Sequence, residues 1–148
     1  MTTTTTMTTI THPPLTASSL ELVDRAHDSL VEALTAGVPG ERYVAAHLAA
    51  LRAAAAVLAV RGRPTRRGRP RSVWEVLPSV APELGEWATF FDAGAPRRAA
   101  VEAGRDDVVG RREADDLLRD AETFLRIVES TIGVPHPAPS TGALPLTT

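Results

Sequence analysis

Six of the eleven residues from Arg61 to Arg71 are arginines, in the run Arg-Gly-Arg-Pro-Thr-Arg-Arg-Gly-Arg-Pro-Arg. Guanidinium groups at this density can neutralise successive phosphates and release their counterions. The affinity so gained is independent of base sequence and falls as salt rises. The same charge would serve on an acidic protein surface, or on the acidic last helix of the same chain. The bland alternative is a solvated loop in a composition biased by a GC-rich genome, because all 16 basic residues are arginines and lysine is absent. No aromatic residue interrupts the run, so it holds no platform for stacking single-stranded bases. Trp74 lies just beyond it and joins Arg61, Arg63, Arg66, Arg67, Arg69 and Arg71 as a contact residue for nucleic acid or another partner.

The other chemistry-bearing groups point to structure. Asp115, Asp116, Asp120 and Glu122 form an acidic cluster in which Asp116 and Asp120 share a helix face and Asp115 can pair with Arg119. A metal wants converging ligands, usually with histidine among them. His12 and His136 stand near the chain ends, and His27 falls between Val23 and Leu30 on an apolar stripe, where a structural role is expected. The acidic face is read as solvated, and neither a metal nor a cofactor is expected. Trp74, Trp87, Phe90 and Phe91 have the spacing of core anchors, although they could line a partner groove. No glycine-rich phosphate loop follows a strand, no nucleophile elbow is present, and there is no cysteine to act as nucleophile.

The elements that must position these groups are helices. In 148 residues, 43% of them apolar, alanine and leucine outnumber valine, isoleucine and the aromatic residues that strands favour. Residues 1–16 are threonine-rich and uncharged, and residues 134–148 mix proline with Thr, Ser and Gly; both are expected to be disordered tails. Between them, residues 17–133 read as one helical domain. A capping box at Ser18 and Glu21 opens the first helix, which carries Val23, Ala26, Leu30 and Leu34 on one stripe and stops at Gly37 and Pro39. The second helix, about 41–61, has Val44, Leu48, Leu51, Ala55 and Leu58 as its main stripe and alanines over most of the rest. A helix apolar nearly all round belongs at the centre of a bundle or in a subunit contact. Its longest uncharged apolar run, Ala53 to Val60, is too short to cross a bilayer.

The run 61–71 is expected to be extended and mobile, because Pro and Gly forbid a regular helix and the charges repel. Ser72 and Glu75 restart a helix. Pro78 and Pro82 divide the next stretch into a short helix at 73–79 and another from Pro82 to about Ala93, and Pro96 opens one more to about Ala103. The last helix, about 111–132, aligns Ala114, Leu117, Leu118, Ala121, Leu125, Val128 and Ile132. The sum is an all-α, antiparallel four- to five-helix bundle. Charge divides along it: nine arginines against five acids leave +4 over 61–105, and four against eight leave −4 over 106–148. Absent cysteine and the lack of an N-terminal signal pattern suit a cytoplasmic protein with no membrane role.

Three segments resemble the HEPN superfamily of small helical domains, through a small actinobacterial branch: Glu41-Arg-Tyr-Val-Ala-Ala-His-Leu through Leu58, Arg69-Pro-Arg-Ser-Val-Trp-Glu-Val-Leu through Trp87, and Arg112-Glu-Ala-Asp-Asp-Leu-Leu-Arg-Asp-Ala-Glu-Thr-Phe-Leu125. The resemblance covers roughly 18–132. It implies a four- to five-helix bundle, frequent dimerisation, and association with nucleic acid or nucleotides. Many members are ribonucleases marked by an arginine followed four to six residues later by a histidine, near the last long helix. Between Arg97 and Ile132 this chain has no histidine. The one match by spacing, Arg42 with His47, sits on the second helix, where five residues set the side chains about 140° apart. The expectation is a non-catalytic HEPN-like interaction module, dimeric through the alanine-rich helix, that binds nucleic acid or an acidic protein through its arginine run. Two alternatives stay open: a degenerate ribonuclease using Arg42 and His47 with Tyr43 nearby, and a helical scaffold that binds a protein partner only.

Overall fold

A computed structural model describes residues 14–62 and 71–135. Among them are five α-helices: α1 (Ala17–Thr35), α2 (Pro39–Arg61), α3 (Val73–Val80), α4 (Gly85–Glu102) and α5 (Arg111–Ile132). Two 3-10 turns, Pro82–Leu84 and Asp106–Val108, lead into α4 and come after it, and no strand occurs among the described residues. The chain is the all-α bundle its composition predicts. Most of both expected tails, and Arg63 to Pro70 of the arginine run, lie outside the described residues.

α2 is the hub, with α1, α3, α4 and α5 all packed against it. Its phase differs from the expected one. Val44, Leu48, Leu51 and Ala55 are only half-buried, whereas Ala46, Ala49, Ala50, Ala53, Ala54 and Ala56 are fully enclosed. A methyl side chain lets neighbouring helix backbones close in, so the alanines face the crowded directions and the longer residues take the looser flank. With Arg52 counted, α2 does have the length and hydropathy of a membrane-spanning segment. Here its apolar surface is spent largely on other helices. Arg52 itself reaches α1, donating to the buried Ser29 hydroxyl and to the Arg25 carbonyl.

Each helix boundary has a local cause. The cap of α1 is Thr16, not Ser18: Thr16 Oγ1 accepts from Ser19 N and Ser19 Oγ accepts from Thr16 N, each at 3.0 Å. α2 begins with Pro39 at its first turn, where a missing N–H costs nothing. Ser72 caps α3 by accepting from Glu75 N. α5 stops at Gly133, whose φ of 79° is the left-handed conformation that glycine adopts freely. Its whole predicted stripe is buried, from Ala114 to Ile132.

α4 departs most from expectation. Instead of ending near Ala93 and reopening at Pro96, it runs unbroken from Gly85 to Glu102 with Pro96 inside. Proline donates no hydrogen bond and crowds the carbonyl four residues before it. α2 supports this weak turn from outside: His47 and Tyr43 bond the carbonyls of Phe91 and Gly94. A side chain at Gly94 would place its Cβ 2.8 Å from the Tyr43 hydroxyl, so glycine is what allows the approach.

Candidate functional site

The sequence offered one catalytic pair, Arg42 and His47, and the fold sends its members in different directions. Arg42 Nε donates to the Ala33 carbonyl at 2.9 Å and Nη2 to the Ala36 carbonyl at 3.2 Å. These are carbonyls at the C-terminal end of α1, which no residue of α1 itself satisfies. The third arm, Nη1, meets Asp115 on α5 at 2.5 Å. Arg42 is thus a clasp that joins α1, α2 and α5. It lines two shallow surface depressions, neither of which His47 reaches.

His47 is fully buried. Its Nε2 lies 2.8 Å from the Phe91 carbonyl and its Nδ1 lies 3.0 Å from Arg98 Nη1. A carbonyl only accepts and a guanidinium only donates, so the partners fix the neutral tautomer with hydrogen on Nε2. Burial is the main force holding its pKa below the ordinary histidine value, and the facing Arg98 adds to it. A general base needs a lone pair that substrate can reach. Here the lone pair accepts from Arg98 and the N–H donates to backbone, which leaves neither ring nitrogen for a substrate proton.

Aromatic rings complete the enclosure. Tyr43 stacks on His47 with centroids 6.5 Å apart, and Trp74 and Phe91 meet the imidazole edge-on at 6.1 Å each. Phe124 of α5 lies 5.1 Å from Phe91 and 6.1 Å from Trp74. Trp74, expected as a contact residue beside the arginine run, is 5% exposed and belongs to this cluster. α3 turns it inward because the face of Trp74 and Leu77 is the one that meets the bundle. Phe91 is buried, Trp87 half-buried, and Phe90 alone of the predicted aromatic set lies open, 45% exposed.

Beside the cluster, α4 and α5 diverge around a cleft of about 780 Å³ with Tyr43, Phe90, Arg97, Glu113 and Asp120 on its walls. Arg97 and Glu113 close on each other across it at 2.5 Å. Burial, with a smaller effect of Asp116, raises the Asp120 pKa, and burial also raises that of Tyr43. The acidic cluster is distributed among arginines: Asp115 goes to Arg42 in place of the expected Arg119, and Asp116 pairs with Arg119. No group of carboxylates and histidines able to hold a metal occurs among the described residues. His27 is more than half exposed instead of packed, with Nε2 2.9 Å from Oε1 of the buried Glu129.

Of the arginine run, the two ends are described. Arg61 Nη1 donates to the Val80 carbonyl at 3.1 Å and meets Glu83 at 2.6 Å. The Glu83 pKa is lowered, chiefly by a bond to its own backbone N–H and secondarily by Arg61. Arg71 lies 3.9 Å from Glu75. Arg63, Arg66, Arg67 and Arg69 fall outside the described residues. Arg98, which sets the state of His47, was not singled out by the sequence. It stands 51 positions from its partner, and no local pattern marks it.

Neither the curated proteins nor the solved structures yield a match to this chain. A family model does, the SAV_6107-like HEPN domain over residues 33–129, which takes in the end of α1, all of α2, α3 and α4, and most of α5. On that match, and with the five-helix bundle already described, the chain belongs to the HEPN family.

Proposed function

We propose that this chain is a non-catalytic HEPN module that acts by binding, with the arginine run 61–71 as its contact element and a polyanion, nucleic acid first, as partner. One observation carries the non-catalytic half: both ring nitrogens of His47 are spent inside a closed core, and Arg42 is spent on α1 and α5. The binding half rests on charge density, six arginines in eleven residues with no acid among them. A protein without cysteine that works on nucleic acid suits the cytoplasm, and we place it there.

Two assays test the reading together. Purified protein should leave single- and double-stranded RNA intact. Cleavage that disappears in His47→Ala while helicity is kept would establish the degenerate ribonuclease instead. In a gel shift, the protein should retard RNA or DNA at low salt, with the logarithm of the affinity falling linearly in log salt. Replacing Arg63, Arg66, Arg67 and Arg69 with Ala should reduce that slope by about three to four. An unchanged shift would remove the run from the interface and favour a scaffold with a protein partner only.

A further inference from the structure

Between the second half of α1, the first half of α2 and the end of α4 lies a groove of about 300 Å³ whose charged lining is entirely acidic. Val44, Leu48 and Val101 form its apolar floor, and Glu32, Glu41, Glu102 and Asp106 stand around them. All four carboxylates are exposed, and they come from three helices and the 3-10 turn after α4. Glu102 lies 3.7 Å from Arg98 Nε, and the other three have no ion pair among the described residues. Four acids over a half-wet apolar floor repel one another and leave Val44 and Leu48 partly in water. The side chain that relieves both problems has an alkyl stem and a cationic head.

We propose that this groove takes the arginine run, residues 61–71, of a second copy of the chain. Charge complementarity selects the occupant: the run holds six of the chain's 16 basic residues and no acid. Placement favours a second copy. Arg61, where the run begins, is anchored by Val80 and Glu83 at the C-terminal end of α2. A rise of 1.5 Å per residue puts it about 20–25 Å along that helix from Leu48 and Val44. Run and groove therefore belong to opposite ends of one long helix, and a head-to-tail contact joins them without unseating Arg61. Each copy uses two different surfaces, so the contact is heterologous and propagates unless its rotation closes a ring. Single exposed ion pairs are weak, so the strength comes from several arginines engaging the four carboxylates together. The association must also fade as the Debye length shrinks from about 10 Å at 0.1 M salt to about 3 Å at 1 M. The inference rests on the run being a contact element, not on the identity of its polyanion.

The experiment uses the full chain and, as probe, a labelled synthetic peptide of residues 61–71. At low salt the sedimentation-average mass should rise with protein concentration, and 1 M NaCl should return it to the monomer. In the triple variant Glu41→Gln, Glu102→Gln, Asp106→Asn, self-association should vanish, and peptide affinity should fall about tenfold or more, with the thermal melt unchanged. The variant lacking Arg63, Arg66, Arg67 and Arg69 should also be monomeric. Mixed with the groove variant, it should form a complex that stops at two copies, because only one groove and one run remain. A chain that stays monomeric up to near-millimolar concentration, or a peptide that binds the groove variant as well as the unaltered chain, overturns the proposal. So does a peptide that binds only the run variant without any association of copies, since each chain would then fill its own groove. The groove variant should still shift nucleic acid. Failure of that shift in the unaltered chain counts against the polyanion reading and leaves the groove standing.

Discussion

Replacing Arg42 with Met keeps most of the side chain's apolar stem and removes its charged head, so it isolates what the guanidinium contributes. α1 ends at Thr35 with no basic residue in its last turn and an extended C-cap at Ala36. The carbonyls of Ala33 and Ala36 accept from Arg42 across the α1–α2 turn. Hydrogen bonds from a charged donor contribute roughly 1.5–3 kcal/mol each when well buried. The Arg42 side chain is 26% exposed and its Asp115 partner 43%, so water can replace part of every contact. Discounting the two carbonyl bonds by about half, and giving the half-exposed ion pair ~0.5 kcal/mol, leaves a loss of about 2–3.5 kcal/mol. For a domain of this size that corresponds to a fall in Tm of roughly 8–14 °C, read by circular dichroism. Asp115→Asn should cost much less, because the carbonyl contacts survive. RNA integrity should be the same with either variant as with the unaltered chain. A melt within about 2 °C of the parent would refute the clasp. A stable variant that had lost a ribonuclease activity would move Arg42 from structure to chemistry.

Gly94→Ala should destabilise by about 1–3 kcal/mol, since its Cβ would sit 2.8 Å from the Tyr43 hydroxyl and 3.4 Å from His47 Cδ2. Gly37→Ala, whose Cβ meets nothing within 4 Å, should stay within about 0.5 kcal/mol; equal effects in urea titrations would contradict the packing described. Stability should also depend on pH through His47. Its folded pKa is depressed by burial and by Arg98, so below about 6.5 the unfolded chain binds a proton that the folded chain does not. The stabilisation is complete above that pH and is lost on acidification, by at most about 1.4 kcal/mol per pH unit. His47→Gln should flatten this slope, and an unchanged slope would assign it to other groups.

The contrast between α5 and α2 shows what a linear sequence conveys. Polar and apolar residues alternate sharply in α5, so its phase is unambiguous and the stripe from Ala114 to Ile132 is buried as expected. α2 is apolar on every side, and hydropathy carries no phase there. Size decides instead: Ala49, Ala50 and Ala53 turn inward because backbones must approach, while Leu48 and Leu51 stay at the flank. At the start of α1 the sequence pattern pointed to Ser18 with Glu21, and the geometry selected Thr16 with Ser19. Pro96 looked like a helix start because its local chemistry favours one, yet bonds from α2 hold the turn before it closed. The site was harder to read for the same reason. Arg42 is held by the backbone carbonyls of Ala33 and Ala36, which carry no side-chain signal, and by Asp115, 73 positions away, while His47 is held by Arg98, 51 positions away; none of these leaves a local pattern.

Nitrogen-detected NMR of the His47 imidazole addresses the heart of the matter. A long-range nitrogen–proton correlation should show hydrogen on Nε2 only, slow exchange with water, and a titration displaced below the ordinary histidine value while the chain remains folded. An imidazole that titrates near 6.5 and exchanges freely would be an accessible acid–base group, and the HEPN module would have to be regarded as an enzyme.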